Sequence, residues 1–157
     1  MVMFKSVVLG GLISLVSTWS CATDEILGHW KTVNSRTGKV AARVEFVKEP
    51  DGSYSGYIRE LFDEDTQQFC HARCPAPYQN APMVGLRIMW ALKASAKPLE
   101  YSNGFALDPL SGRVYHGRAR VTPDQRRLFM RGYIGASILG RTEVWLRDTS
   151  YSPPNTP

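Results

Sequence analysis

The sequence predicts an all-β domain of about eight short antiparallel strands, arranged as a sandwich or a barrel. Three observations carry this. Apolar and polar residues alternate through most of residues 25–147, the period of a strand with one buried face. Turn signals such as Pro50-Asp51-Gly52, Asp108-Pro109-Leu110-Ser111-Gly112 and Pro123-Asp124 punctuate the chain at intervals of roughly 8–12 residues. No helical period follows the N-terminal segment. Eight antiparallel strands closed on themselves would leave an interior for side chains or one small ligand.

The N-terminus sets the compartment. Lys5 precedes an apolar run over residues 6–16, and Ser20-Cys21-Ala22 supplies small residues for a cleavage site. This reads as a secretory signal peptide over residues 1–22, cut after Ala22. The run is short of the ~20 residues of a membrane span. The rival readings are an uncleaved anchor and a lipoprotein attached through Cys21. Trp19 is bulky where lipidation expects a small residue. Export to the periplasm is the expectation. It removes nucleic acid as a partner, although the net charge is +5. A surplus that mild suits an anionic envelope component or an acidic ligand. Cleavage also removes one of three cysteines and leaves the pair Cys70 and Cys74.

The mature domain is expected over residues 23–147. The first strand lies within residues 25–33 and includes Gly28-His29-Trp30. Ser35-Arg36-Thr37-Gly38 turns the chain. Residues 40–47 put Val40, Ala42, Val44 and Phe46 on one face and Arg43 and Glu45 on the other. Residues 54–62 put Tyr54, Gly56, Ile58 and Phe62 together. Residues 63–82 form an irregular loop with Asp63-Glu64-Asp65, both cysteines and three prolines. A loop this long needs its own organisation. Residues 84–92 align Val84, Leu86, Ile88, Trp90 and Leu92. A short strand at 104–107 follows. Residues 113–121 oppose Tyr115, Gly117, Ala119 and Val121 to His116, Arg118 and Arg120. Residues 126–134 and 139–147 form a closing hairpin. The tail, residues 148–157, has three prolines and no apolar period, and is expected to be disordered.

Cys70-His71-Ala72-Arg73-Cys74 is the sharpest local signal. Cysteines four apart on one helical turn have Cα atoms about 6 Å apart, within disulfide range. The pair is expected to staple the long loop. Zinc needs four ligands, and His29, His71 and His116 are ungrouped, so no metal is implied. Redox catalysts space their cysteines by two residues. Asp63-Glu64-Asp65 lacks the glycine turn of a calcium loop and reads as a solvated loop.

Residues 113–147 carry eight arginines against Asp124 and Glu143. Arg118, Arg120, Arg126 and Arg127 read as a solvated outer face. Arg131 and Arg141 flank glycine turns and are candidates for an acidic ligand group, because a guanidinium recognises carboxylate or phosphate with two parallel bonds. Gly117 and Ala119 could leave room for a ligand or serve strand coiling. Trp90 and Tyr115, with Tyr57 and Phe105, could wall a cavity or simply fill a core. No pair of groups with matched acid–base roles is present, so an enzyme is not expected, and no cofactor is implied.

Several motifs together resemble a known family. They are Pro82-Met83-Val84-Gly85-Leu86-Arg87-Ile88, Asp108-Pro109 with Gly112-Arg113-Val114-Tyr115, and Arg131-Gly132-Tyr133-Ile134-Gly135 with Leu139-Gly140-Arg141-Thr142-Glu143-Val144-Trp145. In order and over roughly residues 27–147, the chain resembles the exported bacterial domain-of-unknown-function family numbered 2147. That resemblance implies a calycin or lipocalin-like barrel and brings no activity with it. Ala91 departs from the family pattern, where glycine is commoner. Gly28-x-Trp30 is similar to the lipocalin opening motif, in which an arginine from the last strand covers a tryptophan at the barrel base. Arg141 or Arg147 could do so, and Arg147 is preferred. The resulting expectation is a barrel that binds one small, partly apolar or amphiphilic ligand. The alternative is an envelope interaction protein with a filled interior and a basic partner-binding face.

Overall fold

The computed structural model describes residues 24–35, 37–63, 66–135 and 140–151. The expected signal peptide, Glu64-Asp65 of the acidic loop, the tip of the closing hairpin and the end of the tail lie outside these residues. Eight strands run in sequence order around a closed antiparallel barrel. They are β1 (Gly28–Val33), β2 (Val40–Lys48), β3 (Tyr54–Leu61), β4 (Arg87–Ala94), β5 (Glu100–Asp108), β6 (Arg113–Val121), β7 (Arg127–Tyr133) and β8 (Gly140–Arg147). The barrel closes where Trp30 of β1 faces Arg147 of β8 and Lys31 faces Leu146. Up-and-down order places the β1–β2, β3–β4, β5–β6 and β7–β8 connections at one end, the mouth. The other three connections lie at the base.

Alternation fixes most of the wall. On β2, Ala42, Val44 and Phe46 are buried while Arg43 and Glu45 face out. On β6, Gly117, Ala119 and Val121 are buried and Arg118 and Arg120 are exposed. The Pro50-Asp51-Gly52 turn is closed by Glu49 N–H donating to Ser53 O at 2.8 Å.

Two strands break the expected alternation, and bulges are the reason. In β3 the register steps from Ile58 to Glu60 while β2 advances one residue. The extra residue reverses facing beyond it. Leu61 therefore turns to the interior, and Phe62, expected inside, is 39% exposed. In β4 the register shifts twice against β3. Met89 and Leu92 are buried, and Trp90 is turned to the outer wall. Val84 lies outside the strand and is 53% exposed. The second correction has a backbone signature: Ala91 sits at φ +57°, a region that costs residues with a Cβ about 1–2 kcal/mol. The departure from glycine at this position thus falls on a bulge that favours glycine.

The long β3–β4 loop is organised. Cys70 and Cys74 form a disulfide with Cα atoms 6.2 Å apart, and both are buried. Phe69 bridges Pro82, and His71 N–H donates to Pro109 O at 2.9 Å. Gly112 lets the β5–β6 turn lie against this loop. A Cβ there would stand 2.6 Å from the backbone of Arg73 and Cys74, and its φ is +76°.

The tail expectation needs correction for residues 148–151. Asp148 is buried, and its carboxylate takes Arg43 Nε at 2.7 Å and Lys31 Nζ at 3.0 Å. Tyr151 lies 4.0 Å from the His29 ring, centroid to centroid, with the Arg43 guanidinium 4.8 Å from its own centroid. The packed domain therefore runs to Tyr151, because the sheet's outer face supplies cations and a ring that this segment covers.

Ala91→Gly is expected to stabilise the barrel by about 0.5–1 kcal/mol, relief of the left-handed strain outweighing glycine's extra unfolded-state entropy. Thermal melts check this, and a lower melting point would contradict it. Burial alone would raise the pKa of Asp148. The hydrogen bonds from Ser150, Arg43 and Lys31 outweigh burial and hold it well below the usual carboxylate range. A folded pKa below the unfolded value stabilises the protein above that unfolded value, here about 3.8, and the contribution drains away as pH falls further. Asp148→Asn should cost about 2–3 kcal/mol at pH 7. The gap to wild type should close below pH 4, as denaturant titrations across pH would show.

Candidate ligand cavity and its base

The base is sealed by one aromatic and one cation. Trp30 is fully buried, and its Nε1–H donates to Ile26 O at 2.8 Å. The Arg147 guanidinium lies 3.8 Å from the centre of the Trp30 ring. Arg147 Nη1 donates to Leu27 O at 2.6 Å, Nη2 to Glu25 O and Nε to Gln125 O at 3.0 Å. One side chain thus ties the N-terminal segment and the β6–β7 turn to the seam, using the planar fork and the π-face together. Burial pulls the Arg147 pKa down. Beside it, Ile26 N–H donates to the Tyr101 hydroxyl at 3.3 Å, and burial pushes the Tyr101 pKa up to about 12.

Above this floor lies a cavity of about 740 Å³ that opens at the mouth. Val44, Ile58, Ile88, Met89 and Met130 form apolar walls, with Trp145 beneath. The polar groups gather higher up. On β8, Glu143 faces Met130 and Arg141 faces Gly132, so alternation turns both inward with Trp145. Arg141 Nη2 donates to Ser35 Oγ at 2.5 Å and stands 3.6 Å from Glu143 Oε1. Trp145 Nε1–H points to Glu143 Oε2 at 3.5 Å. The cavity therefore grades from apolar below to a charged, partly solvated rim.

The structure sorts the sequence candidates. Tyr115 and Arg141 line the cavity, and Arg131 reaches its lip. By register Arg131 belongs to the outer face, opposite Arg118 and Thr142, and its Nη1 donates to Thr142 Oγ1 at 3.0 Å. Trp90 is not in the cavity. The β4 bulge turns it outward, where it stacks on Phe105 at 5.8 Å and meets Arg87. Gly117 adds no space either, since the Met89 methyl would sit 3.0 Å from a Cβ there. Glu143 and Ser35 were missed. The signal for Glu143 was present in the period-two row Arg141, Glu143, Trp145, Arg147, which places it on the tryptophan's face. Ser35 had no comparable signal, because a turn residue follows no alternation. Among the described residues no group of three His, Cys, Asp or Glu side chains could hold a metal ion.

A closed eight-stranded barrel with a sealed tryptophan base and an apolar-walled cavity that opens through a charged rim defines a lipocalin-like fold. A Helicobacter pylori protein, HP1028, described as belonging to the lipocalin family, superposes with a TM-score of 0.66 at 20% identity. The match covers 80% of this chain and 84% of that one, and it shows the fold. Residues 28–147 match the family described as "Uncharacterized protein conserved in bacteria (DUF2147)", and the chain belongs to that family. No curated protein matches it.

Arg147→Ala should destabilise the barrel by about 3 kcal/mol, since it strips three carbonyls and a buried indole face of their partner. Arg147→Lys should recover only part, lacking the fork. Urea unfolding followed by tryptophan fluorescence measures both. Equal stability of Lys and Arg variants would contradict the bidentate role.

Proposed function

We propose that this protein is an exported binding protein, without catalytic activity, that holds one small amphiphile in its barrel. The observation that supports this best is the cavity, whose ~740 Å³ falls within the roughly 300–1,000 Å³ usual for small-molecule sites. Its polarity gradient suggests the pose: an apolar portion rests above Trp145, and a polar head reaches Arg141 and Ser35. Arg141 would pair with a carboxylate or phosphate head, while Glu143 beside it limits how much negative charge the rim accepts. The lipocalin fold of HP1028 favours the same reading. The leader-like residues 1–22 and the oxidised cysteine pair favour export, since disulfides persist in oxidising compartments.

Native purification, solvent extraction and mass spectrometry should recover a bound amphiphile, and the intact mass of the same preparation should begin the chain at Thr23. Titration with a fatty acid and its alcohol analogue should show saturable, one-to-one binding. Ala106→Trp, which fills the cavity wall, should weaken both ligands by at least about tenfold in a barrel that still folds. Arg141→Gln should weaken the acid about tenfold more than the alcohol. An Ala106→Trp barrel that binds as well as wild type would place the ligand elsewhere.

A further inference from the structure

The outer wall of β6, β7 and β8 differs from the rest of the barrel. Neither β6 nor β7 contains an aspartate or glutamate, and their outward residues include Arg118, Arg120, Arg127 and Arg131. The acid of β8, Glu143, turns into the cavity. The register arranges the outward residues as a grid. Arg120, Phe129 and Val144 form one row, Arg118, Arg131 and Thr142 the next, and Arg127 lies beside Leu146. The opposite wall behaves otherwise. There Arg43 is bonded to Asp148 and Glu60, and Arg59 to Glu45.

Arg43 and Arg59 stack on rings as well as pairing with carboxylates, whereas on the β6–β8 wall two guanidiniums stack on rings without a carboxylate in salt-bridge range among the described residues. Arg118 lies 5.1 Å from the Tyr133 ring centre and Arg120 lies 4.6 Å from that of Phe129. Stacking fixes a guanidinium by its face and leaves its N–H edge for an incoming oxyanion. Exposed aliphatic residues stand among them: Val114 is 38% exposed, Val144 38% and Leu146 41%. Leu110 and Ile134 continue this apolar character to the mouth.

We propose that this wall docks on a bilayer rich in anionic phospholipid, the arginines meeting lipid phosphates and the aliphatic residues resting at headgroup depth. The charge complementarity selects an anionic partner. Convexity selects the source: cations spread over three strands of a curved wall need phosphates that can move to meet them, which a fluid leaflet provides. The docking does not depend on cavity binding, but it sets the mouth beside the membrane from which an amphiphile could be taken.

Co-sedimentation of the mature protein with vesicles tests this. Vesicles of equal phosphatidylglycerol and phosphatidylcholine should bind it, pure phosphatidylcholine should not, and salt should weaken the binding. The triple variant Arg118→Ala, Arg120→Ala, Arg127→Ala should lower partitioning about a hundredfold, with cavity ligand affinity retained. Arg59→Ala on the opposite wall should change nothing. Arg118→Glu alone provides a milder variant should the triple one fail to fold. Equal binding to both vesicle types, binding unaffected by the arginine substitutions, or retention on an immobilised polyanion without binding to anionic vesicles would each overturn the proposal.

Discussion

The stack of Arg147 on Trp30 is the interaction on which the rest of the barrel depends. A sheet of eight strands has two free edges until β1 meets β8, and the seam is short, with Trp30 facing Arg147 at its base end. An indole alone would bury apolar area but leave the carbonyls of Glu25, Leu27 and Gln125 without donors. An ammonium could not reach three carbonyls while keeping contact with the ring. The guanidinium does both, so closure, the floor and the path of the N-terminal segment share one side chain. With the floor sealed at that level, the apolar volume above it opens at the mouth.

Cavity and wall then divide the chemistry of β8 by alternation alone. Thr142, Val144 and Leu146 face out, while Arg141, Glu143 and Trp145 face in. A single strand therefore contributes to the cavity rim and to the outer grid without conflict. The same division explains why the arginine-rich C-terminal third is not one feature. Arg147 is structural, Arg141 belongs to the rim, Arg118, Arg120 and Arg127 belong to the outer wall, and Arg131 reaches from the wall to the lip.

Much of this was legible in the sequence. The faces of β2 and β6, the cysteine staple, the order of the strands and the pairing of Trp30 with a C-terminal arginine follow from alternation, spacing and family motifs. What was not legible has a common cause. β3 and β4 contain bulges, and each extra residue reverses facing downstream. A bulge marked by glycine would have announced itself, but here Ala91 takes the positive φ, so Trp90 read as an inner residue. Residues 148–151 look like a free tail in the sequence because their order comes from Arg43, Lys31 and His29, which lie more than a hundred residues away in the chain. Local composition contains no trace of such partners. Within the cavity, the position of Glu143 in the alternating row with Trp145 carried the information that it faces inward.

Asp24 to Leu27 and the Asp148–Tyr151 segment have a shared geometry. The first is bound under the floor by Arg147 and by Tyr54, whose hydroxyl donates to Asp24 Oδ1 at 2.6 Å. The second is laid against the outer wall at His29, near that same end. Both described chain ends thus leave the molecule away from the opening. A dye or solid support coupled at Asp24 or Tyr151 would leave the aperture facing solution. On a surface coupled there, the barrel would be oriented by its own connectivity.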